Sequence, residues 1–198
     1  SQRSSYSELN QYLLGTWYAA YRLIISTGLL LIFVLTYPEH TSDLEYPKLY
    51  HYVLSSFIAI ALIQLFVLKY FKKFVQQQLT GIFIVDACAL SLLTLATNGT
   101  NLQLSMLFVI TIFAASILLN AQKALVITLI AVISVIYQHF ITSLFTLSSV
   151  GNIGNSAILA FMFFVVYGIG QIAVRRFQIL ENVNFSQSME LYRLQNIN

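Results

Sequence analysis

The chain has 198 residues, 58% of them hydrophobic and only 9% charged, with a formal net charge of +3. A soluble domain carries about 25% charged residues, so a water-soluble globule is excluded: there are too few charges to cover its surface. The long apolar runs point instead to an all-α integral membrane protein.

A membrane helix needs ~20 mostly apolar residues. The opening "SQRSSYSELNQYLLG" is polar and does not read as a signal peptide. Ser5 and Glu8 stand at capping-box spacing, which predicts a helix start near Tyr6. Residues 6–18 mix Tyr, Leu and Trp with polar groups, as an interfacial lead-in does. The first span is expected over 17–37 and the second over 50–69. The loop between them, "PEHTSDLEYPKL" (38–49), is acidic and holds both prolines, Pro38 and Pro47. The third and fourth spans are expected over 79–97 and 102–119, split by "TNGTN", because Asn-Gly is a strong turn signal. The fifth and sixth follow over 124–147 and 153–174, split by "SSVGNIGN". The expected fold is a six-transmembrane-helix bundle with short loops. Cys88, the single cysteine, lies inside an apolar run and carries no redox information.

Orientation follows the basic residues. Arg3, Lys69, Lys72, Lys73, Lys123, Arg175, Arg176 and Arg193 fall at the N-terminus, the second and fourth loops, and the tail. With six spans these all land on one face. The reading is N-in and C-in, with the acidic loop outside.

Residues 1–174 are thus read as a membrane domain and 175–198 as the start of a cytoplasmic helix. In the tail, Phe177, Leu180, Leu191 and Leu194 fit one heptad seam with Asn184 and Gln187 as its polar interior. The seam is two to three heptads at most, so a solvated amphipathic helix or a frayed end stays open beside it. The chain is expected to continue past Asn198.

Ionisable groups within the spans are Arg22, Asp86 and His139, and such groups are functional hypotheses by default. Arg22 follows Trp17, and Asp86 follows Gly81, by five residues. Both helices enter from the inner face, so each group lies ~7–8 Å inside it by helical rise. Equal depth and opposite sign suggest an Arg22–Asp86 ion pair that could serve as a switch. Two alternatives stand beside it. Arg22 could snorkel to lipid phosphates while Asp86 finds water, or the carboxylate could serve a ligand or proton site. His139, with His51 and His40 flanking the outer loop, forms a candidate outer polar site near Glu39, Asp43 and Glu45. It lacks the tight spacing of a metal centre, and neutral interfacial histidine is the simpler reading.

Gln64, Gln103, Gln138 and Gln171 read as hydrogen-bonding glue between helices. Gly168, Gly170, Ala114, Ala115 and Ser116 permit close backbone approach. "FMFFVVY" (161–167) reads as lipid-facing or packing surface. P-loop, GxSxG and HExxH motifs are absent from the sequence. No catalytic residue, cofactor or metal is expected in this chain, and no direct contact with nucleic acid.

Three stretches carry a family resemblance: "YRLIISTGLLLIF" (21–33), "QQQLTGIFIVDACALSLLTLATNGT" (76–100) and "MLFVITIFAASILLNAQKALVITLIAVISVIYQ" (106–138). Together they resemble the membrane sensor region of PilS-type histidine kinases of the type IV pilus two-component system. The match covers most of residues 16–176, with "TNGT" where a more glycine-rich turn is expected. The resemblance implies PAS and kinase domains after the tail, a homodimer, and phosphotransfer to a response regulator that controls pilin expression. It also implies an in-membrane signal, with the pilin transmembrane helix as a ligand, and location in the bacterial inner membrane. A small transporter, a membrane scaffold subunit and a membrane-embedded enzyme are the competing classes.

Overall fold

The computed structural model describes residues 2–36, 47–71, 74–97, 102–146 and 153–197. Among them no β-strand occurs, and six helices follow in order: α1 Gln2–Thr36, α2 Pro47–Tyr70, α3 Val75–Ala96, α4 Leu102–Leu118, α5 Ala121–Thr146 and α6 Ile153–Ile197. Five of them are long and apolar enough to cross a membrane, and α4 is a shorter apolar helix. The protein is a multi-pass membrane protein.

Helix ends follow local chemistry. α1 is continuous from Gln2, so the interfacial lead-in and the first span are one rod, and the helix starts before the expected Tyr6. α2 opens on Pro47, whose fixed φ and missing N–H suit a first helical position. Its far end is tied to α3, where Gln78 Nε2 donates to the Phe71 carbonyl at 3.1 Å and satisfies an acceptor the helix leaves open. α4 and α5 are joined by Leu119 and Asn120 alone. Leu119 N–H donates back to Ala115, and Asn120 carbonyl accepts from Ala124 N–H at 2.9 Å. Asparagine suits that N-terminal boundary. The Asn98–Gly99 turn, the acidic loop with His40, and most of "SSVGNIGN" lie outside the described residues.

α6 is unbroken for 45 residues. At the α-helical rise it extends about 68 Å, against a hydrocarbon core of about 30 Å. Its second half therefore leaves the bundle as a free rod, and Phe177, Leu180, Asn184, Gln187, Leu191 and Leu194 are all exposed in the single chain.

α3 is the hub: it packs on α2, α4 and α5 and also touches α1, while α6 packs along α4 and α5. The core divides in two along the helices. One cluster joins Phe33, Leu54, Leu90, Phe108, Val135 and Phe163, one from each helix, with their neighbours. The other joins Tyr18, Leu79, Phe83, Ala115, Leu118 and Ile127. Between the residues that α1, α3 and α5 give to these clusters lie Arg22, Ser26, Asp86 and Thr128, with Thr111 of α4 next to Ile112 of the first cluster, all buried. The bundle is thus layered apolar, polar, apolar. The hydroxyls in the polar layer are tolerated because each bonds a carbonyl one turn back: Ser26 to Arg22, Thr111 to Leu107, Thr128 to Ala124.

Candidate functional site

Three helical stripes build the polar layer. On α1, Tyr18, Arg22 and Ser26 recur every four residues and are buried, as one helix face requires. On α2 the buried stripe is Leu54, Ala61, Gln64 and Leu68. On α3 it is Leu79, Phe83, Asp86, Leu90, Leu93 and Thr94. The two charged residues thus occupy faces that sequence spacing already assigns to the interior.

Arg22 Nη2 lies 2.5 Å from Asp86 Oδ1, and both side chains are 2% exposed. Arg22 Nη1 donates to Gln64 Oε1. Tyr18 donates its hydroxyl to Asp86 Oδ2 at 2.6 Å. The guanidinium carbon stands 4.5 Å above the centre of the Phe57 ring, a cation–π placement. The Tyr18 ring stacks on Phe83 at 4.6 Å, which holds its hydroxyl toward the carboxylate. One ion pair therefore gathers three helices, α1, α2 and α3.

The network is incompletely satisfied. Arg22 Nε, Gln64 Nε2 and the Tyr21 hydroxyl are buried without a hydrogen-bond partner among the described residues, and the Arg22 Nη2–Asp86 contact lacks hydrogen-bond alignment. Buried polar groups left partly paired cost stability. The network brings together a carboxyl group, a phenol and a permanently charged guanidinium.

Asp86 stands 11 residues after Val75 and 10 before Ala96. That is near the middle of α3 as a helix, because α3 begins six residues before Gly81. Gln64, read as interhelical glue, is a direct partner of Arg22. Tyr18 and Phe57 escaped the sequence reading, although the four-residue spacing from Tyr18 to Arg22 is its signal.

The other polar candidates separate. His51 is exposed and its ring lies 6.0 Å from that of Phe33. His139 is half-buried in α5. His40 lies outside the described residues. No group of three or more His, Cys, Asp or Glu that could hold a metal occurs among the described residues. Gln138 donates to the Thr94 carbonyl at 2.6 Å, and Ser91 meets Ser134 at 2.6 Å, so α3 and α5 are sewn together beyond the polar layer. Gly168 has open space where a Cβ would sit, whereas a Cβ on Gly170 would fall 2.5 Å from the Ser116 Cβ. In "FMFFVVY", Phe163 is buried while Phe161, Met162, Phe164 and Val165 are exposed.

The profile of the PilS-like transmembrane domain family matches residues 4–183. This range takes in α1 almost entirely, α2 to α5, and α6 beyond its departure from the bundle. No curated protein and no solved structure matches the chain. A six-helix membrane bundle matched over this range belongs to the PilS-like transmembrane domain family.

Proposed function

We propose that this chain is the membrane input module of a sensor histidine kinase of the PilS type. It lies in a bacterial inner membrane with both termini in the cytoplasm, and it controls pilin expression through a response regulator. The observation that carries the reading is α6, an uninterrupted helix from Ile153 to Ile197. It begins inside the packed core, where Phe163 is buried, and ends in a rod with an apolar seam that nothing in the single chain covers. A rigid helix with one end in a bundle and the other free transmits displacement. The seam Phe177, Leu180, Asn184, Gln187, Leu191 and Leu194 suits a two-stranded homodimer, with Asn184 and Gln187 fixing register at a cost in stability.

The signal enters through the bilayer plane, because the short connections leave little extramembrane surface. The pilin transmembrane segment is a ligand of the right chemistry for the exposed apolar helix faces. Arg22 and Asp86 act as the switch whose packing a docked helix biases.

The test uses the full-length protein in inner-membrane vesicles. Inserting one residue after Phe177 turns the downstream seam by about 100°. Autophosphorylation is expected to lose its response, and inserting a whole heptad is expected to restore it. Equal activity of all three forms would refute a relay through α6. Cysteine cross-linking along 177–194 should show a period near 3.5 residues, and a flat profile would remove the dimeric seam.

A further inference from the structure

α6 packs on α4 and α5, and its buried residues Ser156, Ala160, Phe163 and Gly170 lie on one side of the helix. Gly170 keys that side to α4: a Cβ there would fall 2.5 Å from the Ser116 Cβ, with the Phe113 ring at 3.7 Å. The rotation of α6 about its own axis is thereby set, and with it the direction of every residue further along the same rod. At about 100° per residue, the tail seam points roughly 105° away from the buried side. The bundle and the seam therefore do not compete for one face.

The seam continues into the apolar part of α6. About 18 residues make five full turns of a straight α-helix, so each position repeats the direction of the one that far before it. Carried back by that step, Phe177, Leu180, Asn184, Gln187, Leu191 and Leu194 fall on Leu159, Met162, Val166, Ile169, Ala173 and Arg176. Met162, Ile169 and Ala173 are exposed, while Leu159 and Val166 are half-buried at the edge of the core. Apolarity alone does not select this line, because lipid covers an apolar face as well as a helix does. Two further observations do. Helices in contact along 177–194 and crossing at about 20° are offset by only about 4 Å over the ~12 Å from Phe177 to Ile169, so their side chains still meet there. Charge supplies the second observation. With Phe177 at heptad position a, Arg176 stands at g and Glu181 at the following e. In a parallel pair, g of one helix faces the next e of the other. Both side chains are exposed and opposite in charge, so a symmetric pair forms two ion pairs where the apolar line ends.

We propose that a second copy of this chain covers this line, so that the homodimer interface runs along α6 from Met162 to Leu194, with Arg176 of each copy on Glu181 of the other. The interface follows about 48 Å of helix. It rests on the dimeric tail proposed above and extends it into the membrane. The two ion pairs fix the helices as parallel and in register. A displacement of one bundle against the other then reaches the tail directly, without passing through a loop.

The experiment uses the 198-residue chain in membrane vesicles, with Cys88→Ser to remove the native thiol. Met162→Cys, Ile169→Cys and Ala173→Cys sample the line; Phe161→Cys and Phe164→Cys, exposed on other sides of the same turns, are the controls. Oxidative cross-linking is expected at the first three and not at the controls. Arg176→Glu and Glu181→Arg are each expected to weaken association roughly fivefold, because two exposed pairs become two like-charge contacts. The readout is the cross-linked fraction of the Ile169→Cys chain at dilute protein. The exchange Arg176→Glu/Glu181→Arg is expected to restore it. Glu181→Arg keeps the inner flank basic, so it tests the pair even where Arg176→Glu does not insert. Cross-linking confined to 177–194 would overturn the membrane continuation and leave the tail dimer standing, whereas none at either place would overturn both. Equal cross-linking at the controls and the line, or an exchange no tighter than the single variants, overturns the registered interface.

Discussion

Breaking the buried ion pair from its two sides should not cost the same. Asp86→Leu leaves Arg22 2% exposed with no anion, held only by Gln64 Oε1 and the Phe57 face. A guanidinium cannot shed its proton in a protein, so the charge stays, and the expected loss is about 3–5 kcal/mol. Arg22→Met leaves a carboxyl that can be held as the neutral acid in an apolar layer while keeping the Tyr18 hydroxyl as partner. Its expected loss is about 1–2 kcal/mol, near that of one buried hydrogen bond. The double variant Arg22→Met/Asp86→Leu removes both charges and strands only Gln64 Oε1 and the Tyr18 hydroxyl, so about 1–3 kcal/mol is expected. Unfolding free energies from steric trapping in bicelles measure all three. The order Asp86→Leu worst, with a double variant less damaged than Asp86→Leu alone, is the required result. If Arg22→Met is the more harmful single change, or if the losses simply add, the pair is not the organising contact described here.

Other outcomes follow from single contacts. Tyr18→Phe removes the hydroxyl bonded to Asp86 while keeping the Phe83 stack, and should lower stability by about 1.5–3 kcal/mol in the same assay. Gly170→Ala forces α6 away from Ser116 and should cost about 1–3 kcal/mol by overpacking; Ser116→Gly in the same chain should recover most of it. Gln138→Met removes the bond to the Thr94 carbonyl, with a loss of about 0.6–1.7 kcal/mol and faster amide exchange at the end of α3. Asn184→Leu with Gln187→Leu makes the tail seam continuously apolar and should tighten self-association, seen as a larger cross-linked fraction at equal concentration.

Composition and turn chemistry carried the six-helix architecture because membrane spans must satisfy every backbone group internally, and that demand is local in sequence. Side-chain partnership is not local. Counting along the helices sets Arg22 and Asp86 at one level, since depth needs only helix ends and rise. It does not say that α2 lies beside α1, so Gln64 was legible as a polar residue on a buried stripe but not as Arg22's acceptor. Tyr18 was hidden by its neighbourhood: an aromatic after Trp17 reads as an interfacial anchor, and only its four-residue register with Arg22 distinguishes it. The Gly170 key was visible as a small residue, but its partner Ser116 is set by how α4 and α6 cross. The continuity of α6 through Arg175 and Arg176 was least legible, because an amphipathic helix and a frayed end share the same residues.

The brevity of α4 has a consequence beyond the protein. Its 17 residues rise about 26 Å, less than the ~30 Å of a typical hydrocarbon core. Met106, Ile110, Phe113 and Ile117 are exposed along it. Hydrophobic mismatch is relieved by tilting helices or thinning lipid, at a small cost per ångström. α4 has no spare length to tilt away, so thinning of the adjoining leaflet or snorkelling of its flanking residues takes up the difference. Fatty-acid chain length thus bears on the helix whose Phe113 and Ser116 seat Gly170 of α6, and the composition of the bilayer becomes part of the molecule's resting tension.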